Sequence, residues 1–285
     1  MQSLDGILQQ LTERTGTEAV PMSEEERVKF LCDCFNKRSE ESKDGYDCPK
    51  CKNKLMIAVP KEREYGWEEV HRVCSCIDIR KTLKRLERSG LQGVFNKNTF
   101  DKYRVEHEWQ RVLKEKAVAY AAKPDGAWFF IGGQSGCGKS HLCTAIAGEL
   151  LKSGKAVQYM LWIQDADTLK GCVLDAEKHG EMMERLKKVE VLYVDDLFKT
   201  GNDANGRPLP PTAADIKIAF DILNYRSLNP RLITIISSER SIYDLIGIDQ
   251  ALGGRINEMT FDKGHGLNIK PDKAKNYRLR NIVSI

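Results

Sequence analysis

No apolar run in this 285-residue chain approaches the roughly 18 consecutive residues that a membrane-spanning helix requires. The amino terminus, MQSLDGILQQ, lacks the basic stretch and apolar segment of a secretory signal, so the expected location is the cytoplasm. Internal repeats and low-complexity tracts are also missing, which argues against a solenoid or a disordered linker protein. A strong charge of one sign is absent too. The formal net charge of +4 permits a nucleic-acid partner without demanding one, so local clusters must decide. Cysteine is not scarce: there are nine, six of them before residue 77. Such uneven spacing in a reducing compartment suits a metal site better than a disulfide framework. The length implies about two domains, and 41% hydrophobic residues suffice for real cores.

Residues 133–140 read Gly133-Gln134-Ser135-Gly136-Cys137-Gly138-Lys139-Ser140 and match the phosphate-binding loop G-x-x-x-x-G-K-[ST] at every fixed position. An apolar strand, Trp128, Phe129, Phe130 and Ile131, enters it. A helical pattern from about His141 to Leu151 leaves it, with Leu142, Ala145, Ile146 and Leu150 on one face. The glycines allow successive N–H groups to turn inward around a β-phosphate. Lys139 would reach the β- and γ-phosphates, Ser140 would supply a hydroxyl to Mg²⁺, and the helix would point the positive end of its dipole at the nucleotide. This marks an ATP or GTP site, with Cys137 at a variable position of the loop.

Val191, Leu192, Tyr193 and Val194 lead into Asp195 and Asp196, an apolar strand with acids at its carboxyl end, where parallel sheets bind ligands. Asp195 is expected to hold Mg²⁺, and Asp196 to orient and deprotonate an attacking water. Strands expected at 128–131, 156–163, 191–195, 232–237 and 267–270 alternate with helical patterns, which implies a parallel α/β sheet. The Gly-, Asn- and Pro-rich residues 200–211 read as a long loop.

Cys48 and Cys51 form C-x-x-C, and Cys74 and Cys76 follow as C-x-C. Four thiolates suit a closed, structural tetrahedral Zn²⁺ site. Cys32 and Cys34 lie in a helical pattern, and His71 is a substitute ligand at most. After Cys76, Ile79, Leu83 and Leu86 keep helical spacing among Arg80, Lys81, Lys84, Arg85 and Arg88. This basic amphipathic helix reads equally as a solvated face or as a nucleic-acid contact. A composition change over residues 89–100 places the expected domain boundary at 93/94, giving domains 1–93 and 94–285. Tyr159 and Trp162, with Lys187 and Lys188, offer stacking rings and phosphate-neutralising charge for weak, sequence-independent binding of single-stranded DNA, although core aromatics and exposed lysines are the simpler account of them.

The strand at 156–163, inserted between the phosphate loop and the acidic strand, resembles the AAA+ ATPases. In that family a polar sensor 1 ends the next strand, here at Ser238 or Glu239. Residues 251–256 (ALGGRI) resemble the segment bearing the arginine finger, Arg255, and residues 276–278 (NYR) resemble the sensor 2 segment with Arg278. Arginines there would neutralise charge on the transferring phosphoryl group. A finger acting across a subunit interface implies self-association.

Nearly the whole chain is similar to helicase loaders of the DnaC/DnaI type. Residues 46–51 (YDCPKC), 73–76 (VCSC), 133–141, 194–198 (VDDLF), 224–226 (NYR), 236–240 (ISSER) and 276–278 carry that resemblance. It implies an AAA+ P-loop NTPase with a parallel five-stranded sheet, preceded by a small, zinc-binding, mainly helical amino-terminal domain. It also implies ATP-dependent placement of a replicative hexameric helicase on single-stranded DNA, with residues 133–141 holding the nucleotide. Asp196 stands where many relatives have glutamate, which implies slow, partner- or assembly-dependent hydrolysis. An IstB-like transposition ATPase shares the core but is disfavoured by the cysteine domain. A small-molecule kinase and a non-hydrolysing binding module are the readings from other classes.

Overall fold

The computed structural model describes residues 22–88, 92–124, 126–204 and 208–277. Arg278 lies outside them. The chain divides between Arg80 and Lys81 into two compact units, inside a helix and ahead of the 93/94 boundary expected from composition.

The first unit contains helix α1 (Glu24–Lys37), strands β1 (Met56–Arg63) and β2 (Gly66–Val73), and the start of α2 (Cys76–Arg88). Ser23 and Glu26 cap α1 reciprocally, and Glu24, Glu25 and Glu26 place negative charge on its first turn, where the helix dipole favours it. Val28 and Cys32 face inward with Ala58, and Phe35 and Trp67 pack against them. The Asn36 side chain clamps β1 at one residue, donating to Ala58 O at 2.8 Å and accepting from Ala58 N at 3.0 Å. β1 and β2 pair antiparallel from Met56↔Val73 to Arg63↔Gly66. Beside its helices the unit thus holds a hairpin that the sequence pattern did not reveal. Its strands are largely exposed and rich in charge, so they lack the apolar alternation by which a half-buried strand is read.

The second unit contains α3 (Gln92–Lys97), α4 (Glu108–Ala122), β3 (Phe129–Gly133), α5 (Lys139–Lys152), β4 (Val157–Leu161), α6 (Trp162–Gly171), α7 (Ala176–Lys188) and β5 (Val191–Asp195). After β5 come α8 (Ala213–Ser227), β6 (Ile233–Ser238), α9 (Ile242–Ile248), α10 (Gln250–Thr260) and β7 (Gly266–Ile269). The five strands form one parallel sheet in the order β4-β5-β6-β3-β7, as the α/β reading expected. Central strands β3, β5 and β6 are buried along their whole length, which explains their continuous apolar runs. Alternate residues feed two cores. Phe129, Ile131, Val191, Tyr193 and Ile235 pack with Leu142 and Ile146 of α5, whereas Phe130, Leu192, Val194 and Ile236 pack with residues of α6 to α10. Among the described residues no helix is long and apolar enough to cross a membrane.

One expectation is corrected here. β4 stops at Leu161, and Trp162 opens α6, buried at 3% exposure with its ring edge-on to Phe198 at 5.2 Å. A ring in that position cannot stack on a nucleobase. Tyr159 is likewise engaged inside the domain, as described next.

Candidate nucleotide site and cysteine centre

β3 ends at Gly133 (φ 138°), where a Cβ would stand 2.8 Å from the Cβ and carbonyl oxygen of Ile269 on β7. Gly138 caps α5 with φ 88°, and a Cβ there would lie 2.9 Å from the Tyr103 ring. Only glycine satisfies both the left-handed backbone and the close approach at these two positions. The loop between them is fastened from afar. The Gln134 side-chain amide donates to Asp272 O at 2.6 Å and accepts from Asp272 N at 2.7 Å, and Tyr277 N–H donates to Gly136 O at 3.0 Å. Cys137 is buried and donates to Gln134 O at 2.9 Å, so the variable position serves loop packing. Lys139 is 4% exposed, its Nζ folded back onto Gln134 O at 2.8 Å. Beside Gly136 and Gly138 opens a cavity of about 450 Å³ walled by Tyr103, Arg104, His141 and Tyr277. His141 is held there by its Nε2, 2.8 Å from Thr99 O, and by edge contact with Tyr103.

β5 brings the acidic pair to the same edge of the sheet. Asp195 is 7% exposed and accepts from three hydroxyls, Tyr193 at 2.8 Å and Ser237 at 2.5 Å on Oδ1 and Tyr159 at 2.7 Å on Oδ2, which leaves a lone pair of Oδ2 open. Burial, followed by the charge of Asp195, pushes both tyrosine pKa values up and keeps them as donors. Asp196 adopts a left-handed backbone (φ 56°), and its N–H donates to Ser237 Oγ at 3.0 Å. Its carboxylate receives Lys199 Nζ at 2.9 Å, and the same ammonium reaches Glu239 Oε1 at 3.1 Å. Burial would raise the Glu239 pKa. The hydrogen bond and charge of Lys199, the charge of Lys139 and a hydrogen bond with Ser135 together hold it below the usual range.

The two sensor 1 residues therefore part company. Glu239 faces the phosphate loop, but Ser238 is fully buried, donating to Leu197 O at 2.8 Å and accepting from Arg240 N at 3.1 Å. Its proton and one lone pair are thus engaged by backbone. Ser237, at the same strand end, is the serine that touches both aspartates. Arg255 on α10 is engaged elsewhere, donating to Ser227 Oγ at 2.8 Å with its guanidinium over the Phe220 ring at 5.9 Å.

In the first unit, the sulfurs of Cys48, Cys51, Cys74 and Cys76 all lie within 4.8 Å of one another and are buried. The pairs Cys48–Cys74 and Cys51–Cys76 are 3.9 and 3.5 Å apart. Zn–S bonds of about 2.3 Å arranged as a tetrahedron require S···S edges of about 3.8 Å, so the donor set fits Zn²⁺. Burial pushes Cys74 and Cys76 up, which disfavours four bare thiolates without a cation. The knuckle is shaped by Asn53 (φ 71°), whose Oδ1 accepts from Cys48 N at 2.9 Å and from Arg80 Nη2 at 2.9 Å. Arg80 also pairs with Asp44 and donates to Tyr46 O at 2.9 Å. It is thus built into the cysteine centre and not displayed on a basic face. Cys32 and Cys34 lie on α1, and His71 pairs with Glu69 and packs edge-on to Phe35. Chelation with a strong zinc chelator is expected to raise amide exchange across residues 46–80 and leave β3, β5 and β6 protected, because such a site contributes roughly 10–16 kcal/mol to folding. Unchanged exchange in the first unit would rule out a structural metal.

Comparison with known proteins follows the same lines. Residues 95–207 match the family model of the bacterial DnaA ATPase domain. The phage-like element PBSX protein XkdC of Bacillus subtilis is 33% identical over 263 residues, covering 88% of this chain and 92% of XkdC. The replicative helicase loader DnaC of Escherichia coli is 32% identical over 120 residues, 41% of this chain and 49% of that protein. A crystal structure of the DnaC helicase loader superposes with a TM-score of 0.51 at 21% identity, covering 62% of this chain and 98% of that one.

Proposed function

Because this chain belongs to the family of XkdC, within the DnaC-like AAA+ P-loop ATPases, we propose that it is an ATP-dependent loader of a replicative hexameric helicase onto single-stranded DNA, acting in the cytoplasm. The observation that carries the reading is the meeting of Lys139, Asp195, Asp196 and Glu239 at the carboxyl edge of a sheet whose order inserts β5 and β6 between β4 and β3. The likeness to the replicative helicase loader DnaC then supplies the direction of the work.

In this reading Lys139 exchanges Gln134 O for β- and γ-phosphate oxygens. The N–H groups of residues 133–141 cradle the phosphates at the α5 terminus. A Mg²⁺ held by Ser140 and Asp195 would neutralise phosphate charge. Asp196 takes a proton from the attacking water, and Glu239 orients that water beside the γ-phosphate. Arg278 meets the phosphates as sensor 2. Arg255 serves the site of a neighbouring copy, so self-association gates a slow turnover. The four cysteines hold Zn²⁺ in a unit that grips the helicase.

The test mixes the purified chain with its cognate hexameric helicase, circular single-stranded DNA and ATP, and scores helicase retained on the circle. Wild type should load, and Arg255→Ala should bind ATP yet neither hydrolyse nor load, with partial recovery when mixed with Lys139→Ala, which keeps an intact finger. Loading that is independent of this chain, or an active Arg255→Ala, contradicts the reading.

A further inference from the structure

We propose that Lys199 is a positioning residue for ATP hydrolysis, holding the carboxylates of Asp196 and Glu239 in place together; the inference rests on the ATPase reading above. Two acids that enter from different strands, one after β5 and one after β6, would otherwise stand side by side in a partly buried edge, with side-chain exposures of 17% and 30%. Like charges in that setting repel, and their side chains would rotate apart. Lys199 prevents this through one ammonium that donates to both, at 2.9 and 3.1 Å.

Its backbone adds to the hold. Lys199 N–H donates to Asp196 O at 2.9 Å, closing a tight turn in which Asp196 keeps its left-handed conformation. Such a conformation is strained for a non-glycine residue and persists only where the surroundings enforce it. Ser237 enforces it from one side and Lys199 from the other. The chain continues to the phosphates, because Glu239 is hydrogen-bonded with Ser135 of the loop and lies in the field of Lys139. Lys199 therefore sets the spacing between the water-activating acid and the acid that faces the phosphates, without touching either the nucleotide or the water.

A residue acting this way alters turnover without altering nucleotide affinity. Lys199→Met is expected to bind ATP with a Kd within about twofold of wild type. Its kcat should fall about ten- to hundredfold, the scale on which angstrom-level misplacement of a reacting group acts. Lys199→Arg, which keeps the charge and can span both acids, should recover most of kcat. A folded Lys199→Met with wild-type kcat overturns the proposal. So does a Kd that weakens in step with kcat, which would make Lys199 a phosphate ligand. Failure of Lys199→Arg to exceed Lys199→Met overturns it as well. Both variants are compared with wild type at matched thermal stability; absence of hydrolysis in wild type would overturn the ATPase reading and this proposal together, whereas a hydrolysing wild type beside an unimpaired Lys199→Met overturns this proposal alone.

Discussion

Arg226→Met is expected to destabilise the ATPase unit by about 2–4 kcal/mol: buried carbonyls left without a donor cost about 1–3 kcal/mol each, offset in part because a charge is no longer buried. Arg226 has 0% exposure, and among the described residues its hydrogen bonds go to no carboxylate. Instead its Nη1 donates to Leu186 O, Lys187 O and Val189 O at 3.1, 3.0 and 2.9 Å, its Nη2 to Ile233 O at 2.6 Å, and its Nε to Thr234 Oγ1 at 2.9 Å. Three of those carbonyls end α7, where the helix has no further N–H to offer and its dipole is negative. A cation from α8 thus caps a neighbouring helix and ties it to the start of β6. Burial still depresses the guanidinium pKa to about 9, a sign of how much solvation these carbonyls must replace. Lysine cannot substitute, because a single ammonium does not span five acceptors on two elements. Urea denaturation of the second unit, followed by tyrosine and tryptophan fluorescence, measures the loss; a midpoint within error of wild type for Arg226→Met and Arg226→Lys would show that the network is dispensable.

The same residue illustrates what the sequence made legible and what it hid. Asn224-Tyr-Arg226 stood out as part of a family pattern, with no indication that the arginine is structural, because three of its five acceptors are backbone carbonyls 37 to 40 residues away at the end of α7 and backbone leaves no mark in the sequence. The sheet was readable for the opposite reason. Strands buried on both faces need unbroken apolar runs, and the phosphate-loop spacing fixes strand, turn and helix in order. The cysteine quartet was legible from its spacing alone. Ser237 was masked by its neighbour, since two consecutive serines at a strand end differ only in which face each takes. Tyr193 did carry a signal: two residues before Asp195 on one strand, it had to share that residue's face. Lys199 follows β5 in an irregular turn, where periodicity says nothing about direction.

Asp196→Asn is expected to lower hydrolysis by about 10²- to 10⁴-fold, the contribution of a positioned general base, while ATP affinity stays within about threefold. The asparagine is the same size and can keep its place after β5, with its N–H on Ser237 Oγ, but it cannot accept a proton from water. Asp195, held by three hydroxyls, is left undisturbed. Single-turnover hydrolysis with fluorescent-nucleotide titration separates the two quantities. Retained turnover would move the base elsewhere, with Glu239 the next carboxylate to test. The side chain of Asp196 is one methylene shorter than glutamate, so Asp196→Glu is the informative companion. If reach limits the wild-type rate, the longer acid should raise it.

The clasp between Gln134 and Asp272 joins residues 138 positions apart. During synthesis the phosphate loop leaves the ribosome long before the segment that fastens it. The cysteine unit, complete by Arg80, can fold early, but the loop gains its final anchors only when residues 272–277 have emerged and docked. The order of the chain thus leaves the phosphate loop the last part of the second unit to be fastened.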